Sequence, residues 1–233
     1  MKVLFIGNSH TFVNDMPELL RQLAASRGAE IDAVQNTSGG RGLGWHAHEF
    51  DVRYNILFGR YDYVVLQHTA HPFPGVQNLF EETDKILKMT ALSQSKPVAY
   101  QCWSEKNNPS GHTVICEAYE KLARERDLLL APVGRAWAAL RDRYELYYKD
   151  GEHTSPMGAY LSACVFFVTL TGESAVGLPT SFTFTAPTYD PAAPLEAAWE
   201  TPEAGPRSLK LDPDFCLAAQ KAADAAVGEW SAR

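Results

Sequence analysis

Short apolar runs alternate with longer amphipathic stretches along the first three quarters of the chain. Residues 3–6, 31–34, 63–66, 98–101 and 128–131 are rich in branched and aromatic side chains and bounded by polar or turn-forming positions, a pattern that predicts buried strands. Between them the apolar residues recur at helical spacing. The first helix is marked by Asn14 or Asp15 as N-cap, Pro17 in the first turn, Leu19, Leu20 and Leu23 on one face and Gly28 as its stop. Others are expected near residues 78–92, 113–126 and 135–144. A further one follows Ser155, with Pro156 leading, Ala159, Tyr160, Ala163, Phe166 and Phe167 available for burial and Gly172 at its end.

Strand and helix in alternation imply a parallel sheet covered on both faces, because each parallel crossover needs a helix and has a fixed hand. The expectation is an α/β fold: a flavodoxin-like three-layer α/β/α sandwich on a five-stranded parallel sheet. Ligands in such sheets sit beyond the carboxyl ends of the strands, so the residues just after each strand matter most. Residues 178–213 hold seven of the fourteen prolines and read as irregular chain wrapping the domain or a partly mobile tail. An amphipathic helix over about 213–230 follows. Residues 1–178 are therefore taken as the main domain, with 179–233 packed on it.

Composition narrows the class. The chain has 233 residues, 45% of them hydrophobic and 11% aromatic, enough for a substantial core. A formal charge of -7 without a basic block argues against nucleic acid or an anionic membrane as partner. The apolar run at the start is too short for a signal segment, and no stretch approaches the roughly 18 apolar residues of a membrane span. A soluble protein is expected, with the cytoplasm its simplest location. Cys102, Cys116, Cys164 and Cys216 are widely spaced and form no CxxC pair, so reduced, mostly buried thiols are expected.

Chemistry gathers at the strand ends. The first strand runs into Gly7-Asn8-Ser9-His10-Thr11, which presents a hydroxyl at the carboxyl edge of the sheet, although serine is also an ordinary turn residue. Asp150-Gly151-Glu152-His153 precedes the helix capped at Ser155. That three-residue separation lets Asp150 fix one nitrogen of His153 while the other faces a serine. Gly39-Gly40 after the second strand can bring a backbone N–H close to a substrate, or simply turn the chain. Gln67 at the end of the third strand offers an amide NH2 to an oxyanion, or satisfies loop carbonyls.

The order Gly-Asn-Ser-x-Thr, Gly-Gly, Val-Val-Leu-Gln and Asp-Gly-x-His-x-Ser-x-x-Gly-Ala-Tyr-Leu resembles the SGNH (GDSL-like) hydrolase superfamily over roughly residues 3–178. The resemblance implies that fold, Ser9 as nucleophile, Asp150 and His153 as its activating pair, and an oxyanion hole built from the Ser9 N–H, the Gly40 N–H and a side-chain amide. Two blocks depart from the common pattern. Gln67-His68-Thr69 stands in place of Gly-x-Asn-Asp, so Gln67 takes the role of Asn, as in branches that include carbohydrate acetylesterases. Gly-Asn-Ser replaces Gly-Asp-Ser, leaving Asn8 to orient the loop without a charge.

Rival readings rest on less. His46, His48, Glu49, His68 and His71 are metal-capable, but His-x-His on a helix does not share a face, and neither HExxH nor a Cys/His pairing occurs. His112 and Cys116, four apart, read as an exposed histidine beside a core thiol. Trp45, Trp103 and Trp137 fit the core, with Trp103, soon after the fourth strand, the one placed to stack on a sugar. The reading is thus a serine esterase acting on small acyl esters, acetyl above all, of a carbohydrate or similar polar alcohol. It needs no metal and no organic cofactor, and takes a small-molecule or glycan ester as its partner. An acyltransferase using the same residues, or a glycan-binding module without turnover, is the alternative.

Overall fold

The computed structural model describes residues 1–185 and 206–232. In chain order the elements are β1 (Lys2–Gly7), α1 (Ser9–Phe12), α2 (Met16–Ala25), β2 (Asp32–Thr37), α3 (Leu43–His46), α4 (Phe50–Phe58), β3 (Tyr63–Leu66), α5 (Val76–Ser93), β4 (Lys96–Tyr100), α6 (Pro109–Arg126), β5 (Leu129–Ala131), α7 (Val133–Leu140), α8 (Pro156–Thr171), β6 (Ser181–Phe184), β7 (Arg207–Lys210) and α9 (Pro213–Ser231). The first five strands form one sheet in the order β2-β1-β3-β4-β5, and all its neighbours pair in parallel. This is the expected flavodoxin-like order, with its switch point between β1 and β3.

Alternation along β1 explains the layers. Val3 and Phe5 enter a core shared with Leu19, Leu20 and Leu23 of α2 and Phe166 of α8, while Leu4 and Ile6 face the other side, against Val52 and Ile56 of α4. A period of two thus assigns each strand residue to one layer. Ser155 caps α8 by accepting the Gly158 N–H at 3.2 Å, and Gly172 ends that helix at φ 74°, as the sequence predicts. The helix α2 starts differently. Asp15 stands at its N-cap position in the left-handed region and makes no side-chain cap; its carboxylate instead meets Arg207 Nη2 at 2.9 Å.

Three other features differ from expectation. Helices α3 and α4 lie where no helix is anticipated, and α7 stops at Leu140. The chain after residue 178 is not wholly irregular, because β6 and β7 pair antiparallel. Residues 186–205, most of the proline-rich stretch, lie outside the described residues. The helix α9 packs through Phe215 on Tyr144 and Tyr160, with ring centres 5.1 and 6.2 Å apart. All four cysteines are free and buried. Among the described residues no helix is long and apolar enough to cross a membrane.

Candidate active site

The turn after β1 is built around a missing side chain. A Cβ on Gly7 would lie 2.5 Å from Gln67 Oε1 and 2.7 Å from Thr11 Oγ1, so only glycine lets the side chain of Gln67, the residue after β3, pass beneath the turn. Gln67 Oε1 there accepts the Asn8 N–H at 2.7 Å and the Thr11 hydroxyl at 3.1 Å. Asn8 caps α1 through Oδ1, which accepts the His10 N–H at 3.2 Å, and its amide donates to the Arg41 carbonyl at 3.0 Å. The turn carrying Ser9 is thereby tied to the glycine loop after β2. The Ser9 N–H, at the first position of α1, has no partner within that helix.

Ser9, Asp150 and His153 converge. The Ser9 hydroxyl donates to His153 Nε2 at 2.7 Å, and His153 Nδ1–H donates to Asp150 Oδ2 at 2.6 Å. A carboxylate only accepts, which places the imidazole proton on Nδ1 and makes Nε2 the acceptor of the Ser9 hydroxyl. Asp150 Oδ1 also accepts the Glu152 and His153 N–H groups at 2.9 and 3.0 Å. Partial burial pushes the Asp150 carboxyl up, but these hydrogen bonds and the facing ring outweigh it and hold the group below the usual carboxylate range. Opposite, Asn14 Nδ2 donates to the Thr154 carbonyl at 2.8 Å and Thr154 Oγ1 to the Val13 carbonyl at 3.3 Å, which ties the two halves of the relay together.

A cavity of about 720 Å³ opens over Ser9, within the usual range for small-molecule sites. It is lined by Asn8, Ser9, His10 and Phe12 from the turn after β1, Thr37 to Gly40 from the end of β2 and the loop after it, Thr69 to His71 after β3, and Glu152 and His153 before α8. A Cβ on Gly39 or Gly40 would meet nothing within 4 Å, and Gly40 sits at φ +68°, so both present bare backbone.

Gln67 is not brought to this cavity. Its side chain is fully buried, its amide donates to the His68 carbonyl and reaches the Cys102 thiol. The expectation of a Gln67 donor facing the oxyanion is therefore corrected: the Asn8 N–H and the Thr11 hydroxyl draw its oxygen under the turn, leaving the NH2 toward the core. Trp103 is likewise buried, against Trp137 at 3.9 Å, and offers no face to a sugar. His112 is buried rather than exposed, with Nε2 bonded to the Gly134 carbonyl at 2.8 Å.

Two of the metal-capable histidines, His46 and His68, are engaged in structural hydrogen bonds. His46 Nε2–H donates to the Gly7 carbonyl at 2.8 Å; His68 Nδ1 accepts the Leu43 N–H at 3.1 Å while its Nε2–H donates to Asn78 Oδ1 at 2.9 Å. His48 lies exposed. Among the described residues no three His, Cys, Asp or Glu side chains converge as a metal site would require. His10 and Phe12 were not singled out from the sequence, although their place beside Ser9 was the available signal.

Neither family models nor curated proteins match this sequence. Solved structures do. A DUF4886 family protein from Bacteroides uniformis is 20% identical, aligned over 97% of this chain and 94% of its own, with a TM-score of 0.74. A member of the lipolytic protein G-D-S-L family from Veillonella parvula is 14% identical over 73% and 97%, with a TM-score of 0.55. An acetyl xylan esterase is 12% identical over 73% and 100%, with a TM-score of 0.56. The chain has an SGNH hydrolase-like fold.

Proposed function

We propose that the protein is a serine ester hydrolase. The observation that carries this reading is the unbroken relay of Ser9 Oγ, His153 and Asp150, with contacts of 2.7 and 2.6 Å, opening on a cavity lined by bare glycine backbone. His153 takes the Ser9 proton as Oγ attacks an ester carbonyl, and Asp150 steadies the imidazolium. The N–H groups of Ser9 and Gly40 receive the oxyanion. The tetrahedral intermediate collapses, the alcohol leaves with the proton from His153, and water repeats the sequence on the acyl-enzyme. Gln67 serves from behind, holding the Asn8 backbone so that the next N–H keeps its direction.

Thr37, Ser38, Thr69 and Glu152 line the cavity beside Phe12 and Ala70, so it offers hydrogen-bond partners to a polar alcohol together with apolar surface for a small acyl group. An acetylated carbohydrate is the substrate class we favour, in keeping with the acetyl xylan esterase among the structural neighbours. Hydrolysis of p-nitrophenyl acetate and of an acetylated glycoside by the wild type, Ser9→Ala and His153→Ala tests the proposal. Both variants are expected to lose activity by about 10³-fold or more, and a fluorophosphonate probe to label Ser9. Equal turnover by wild type and Ser9→Ala ends the serine mechanism.

A further inference from the structure

Beside the relay stands an aromatic group that the reaction as described does not use. The His10 ring is buried and stacks on the His153 ring with centres 5.3 Å apart and planes 29° off parallel. On its other sides it meets His71 at 4.5 Å and Trp103 at 5.2 Å, and Trp103 lies flat on Trp137 at 3.9 Å and 3°. A continuous column of rings therefore runs from the core to the imidazole that faces Ser9. The column also grips the loop carrying that imidazole, since Trp103 Nε1–H donates to the Glu152 carbonyl at 2.9 Å.

His10 is suited to stand there as an uncharged ring. Its Nδ1 lies 3.2 Å from Asn8 Oδ1, an oxygen that can only accept, so the proton sits on Nδ1 and Nε2 keeps a bare lone pair. Among the described residues that buried Nε2 has no hydrogen-bond partner, and adding a proton would place an unpaired charge in the interior. Burial first, then the neighbouring His71 and His153, hold the His10 pKa well below the usual histidine value. A charged ring at this position would oppose the imidazolium that forms on His153 during proton transfer; a neutral π face attracts it.

We infer that His10 is a positioning residue whose neutral aromatic face keeps the His153 ring in line with Ser9 and stabilises its cationic form. The inference rests on the serine-hydrolase reading above. The hydrogen bond to Asn8 orients the His10 ring, but it is the ring face that acts on His153. A phenyl ring is then an adequate substitute, whereas a side chain that keeps a hydrogen-bond donor without a ring is not.

Three variants separate these contributions: His10→Phe keeps a ring without nitrogen, His10→Gln keeps a donor without a ring, and His10→Leu has neither. Steady-state kinetics on p-nitrophenyl acetate is measured alongside the melting temperature of each. His10→Phe is expected to stay within about 3-fold of wild-type kcat. His10→Gln and His10→Leu are expected to lose about 10-fold in kcat, inside the roughly 2- to 30-fold span of a cation–π contact, with KM changed by less than about 2-fold. If His10→Leu does not fold, the Phe and Gln pair still decides. The inference is overturned if the Gln variant matches wild type, or if Phe falls as far as Gln. Wild-type turnover that is independent of Ser9 overturns the serine-hydrolase reading and this inference with it, whereas Ser9-dependent turnover with the wrong His10 pattern overturns this inference alone.

Discussion

Replacing Gln67 by Leu distinguishes a side chain that donates to the oxyanion from one that braces the turn beneath it. Gln67 and Thr11 are each 0% exposed and Asn8 is 2% exposed, so water cannot replace what the substitution removes. The variant leaves two buried donors unpaired: the Asn8 N–H, bonded at 2.7 Å in the wild type, and the Thr11 hydroxyl, bonded at 3.1 Å. Each such loss costs about 1–3 kcal/mol, hence roughly 2–6 kcal/mol of stability in all. That is a large share of the 5–15 kcal/mol or so typical of a domain. Urea unfolding followed by tryptophan fluorescence reads the stability change, and kcat on p-nitrophenyl acetate, corrected for the folded fraction, reads the chemistry. A marked fall in unfolding midpoint with kcat reduced by less than about 10-fold is expected. An unchanged midpoint with kcat lowered by about 10² to 10³-fold, the signature of a lost oxyanion donor, would refute the reasoning.

Asn14→Ala removes the 2.8 Å bond to the Thr154 carbonyl and forces an alanine into φ 60°; a loss of about 2–4 kcal/mol in urea unfolding is expected, with a lower kcat because Thr154 adjoins His153. Stability should also fall as pH drops from 7 to 5. His10, His46, His68, His71 and His112 are all held below their ordinary pKa of 6.5, chiefly by burial, so below that value the unfolded chain takes up protons the folded chain refuses. Each contributes up to about 1.4 kcal/mol of loss per pH unit until its own folded pKa is reached, and a melting temperature flat across this range would contradict the assignment of neutral buried rings. Two glycines give opposite signs in thermal melts: a Cβ on Gly134 would lie 2.4 Å from the Cys102 carbonyl, so Gly134→Ala should destabilise, whereas Gly228 in α9 has nothing within 4 Å, and Gly228→Ala should add about 0.5–1 kcal/mol.

The fold was legible where burial is either complete along a strand or confined to one helical stripe. Strands such as β1, with Val3 and Phe5 on one face and Leu4 and Ile6 on the other, are continuous apolar runs between turn residues, and the helices between them carry one apolar stripe. The helix α4 escaped notice because its apolar residues lie on both faces. Val52 and Ile56 are buried, while Phe50, Tyr54 and Phe58 are exposed, and together they erase the helical period. The strands β6 and β7 escaped for another reason. Residues 181–184 pair with 207–210, a contact so distant in sequence that no hairpin turn announces it.

The same division governs the site. Asp150 and His153 were legible because their geometry is local: one turn sets both side chains, and Asp150 accepts the backbone N–H of the residue it orients. The position of Ser9 was legible through topology, since a parallel sheet delivers the turn after β1 to the carboxyl edge where the cavity opens. The direction of the Gln67 side chain depends on neither. It is decided by the absent Cβ of Gly7, 60 residues earlier, and by two donors that reach the glutamine oxygen first. A residue type at a strand end thus identifies what chemistry is available there, but close packing across the sheet decides whether that chemistry faces the cavity or the core. His112 and Trp103 follow the same rule: each carries a group able to meet a ligand, and each has already given it to a backbone carbonyl, of Gly134 and Glu152 respectively. His10 is the converse case. Among the described residues its Nε2 has no such partner, and its ring stacks on the imidazole that, in the proposed reaction, takes up the Ser9 proton.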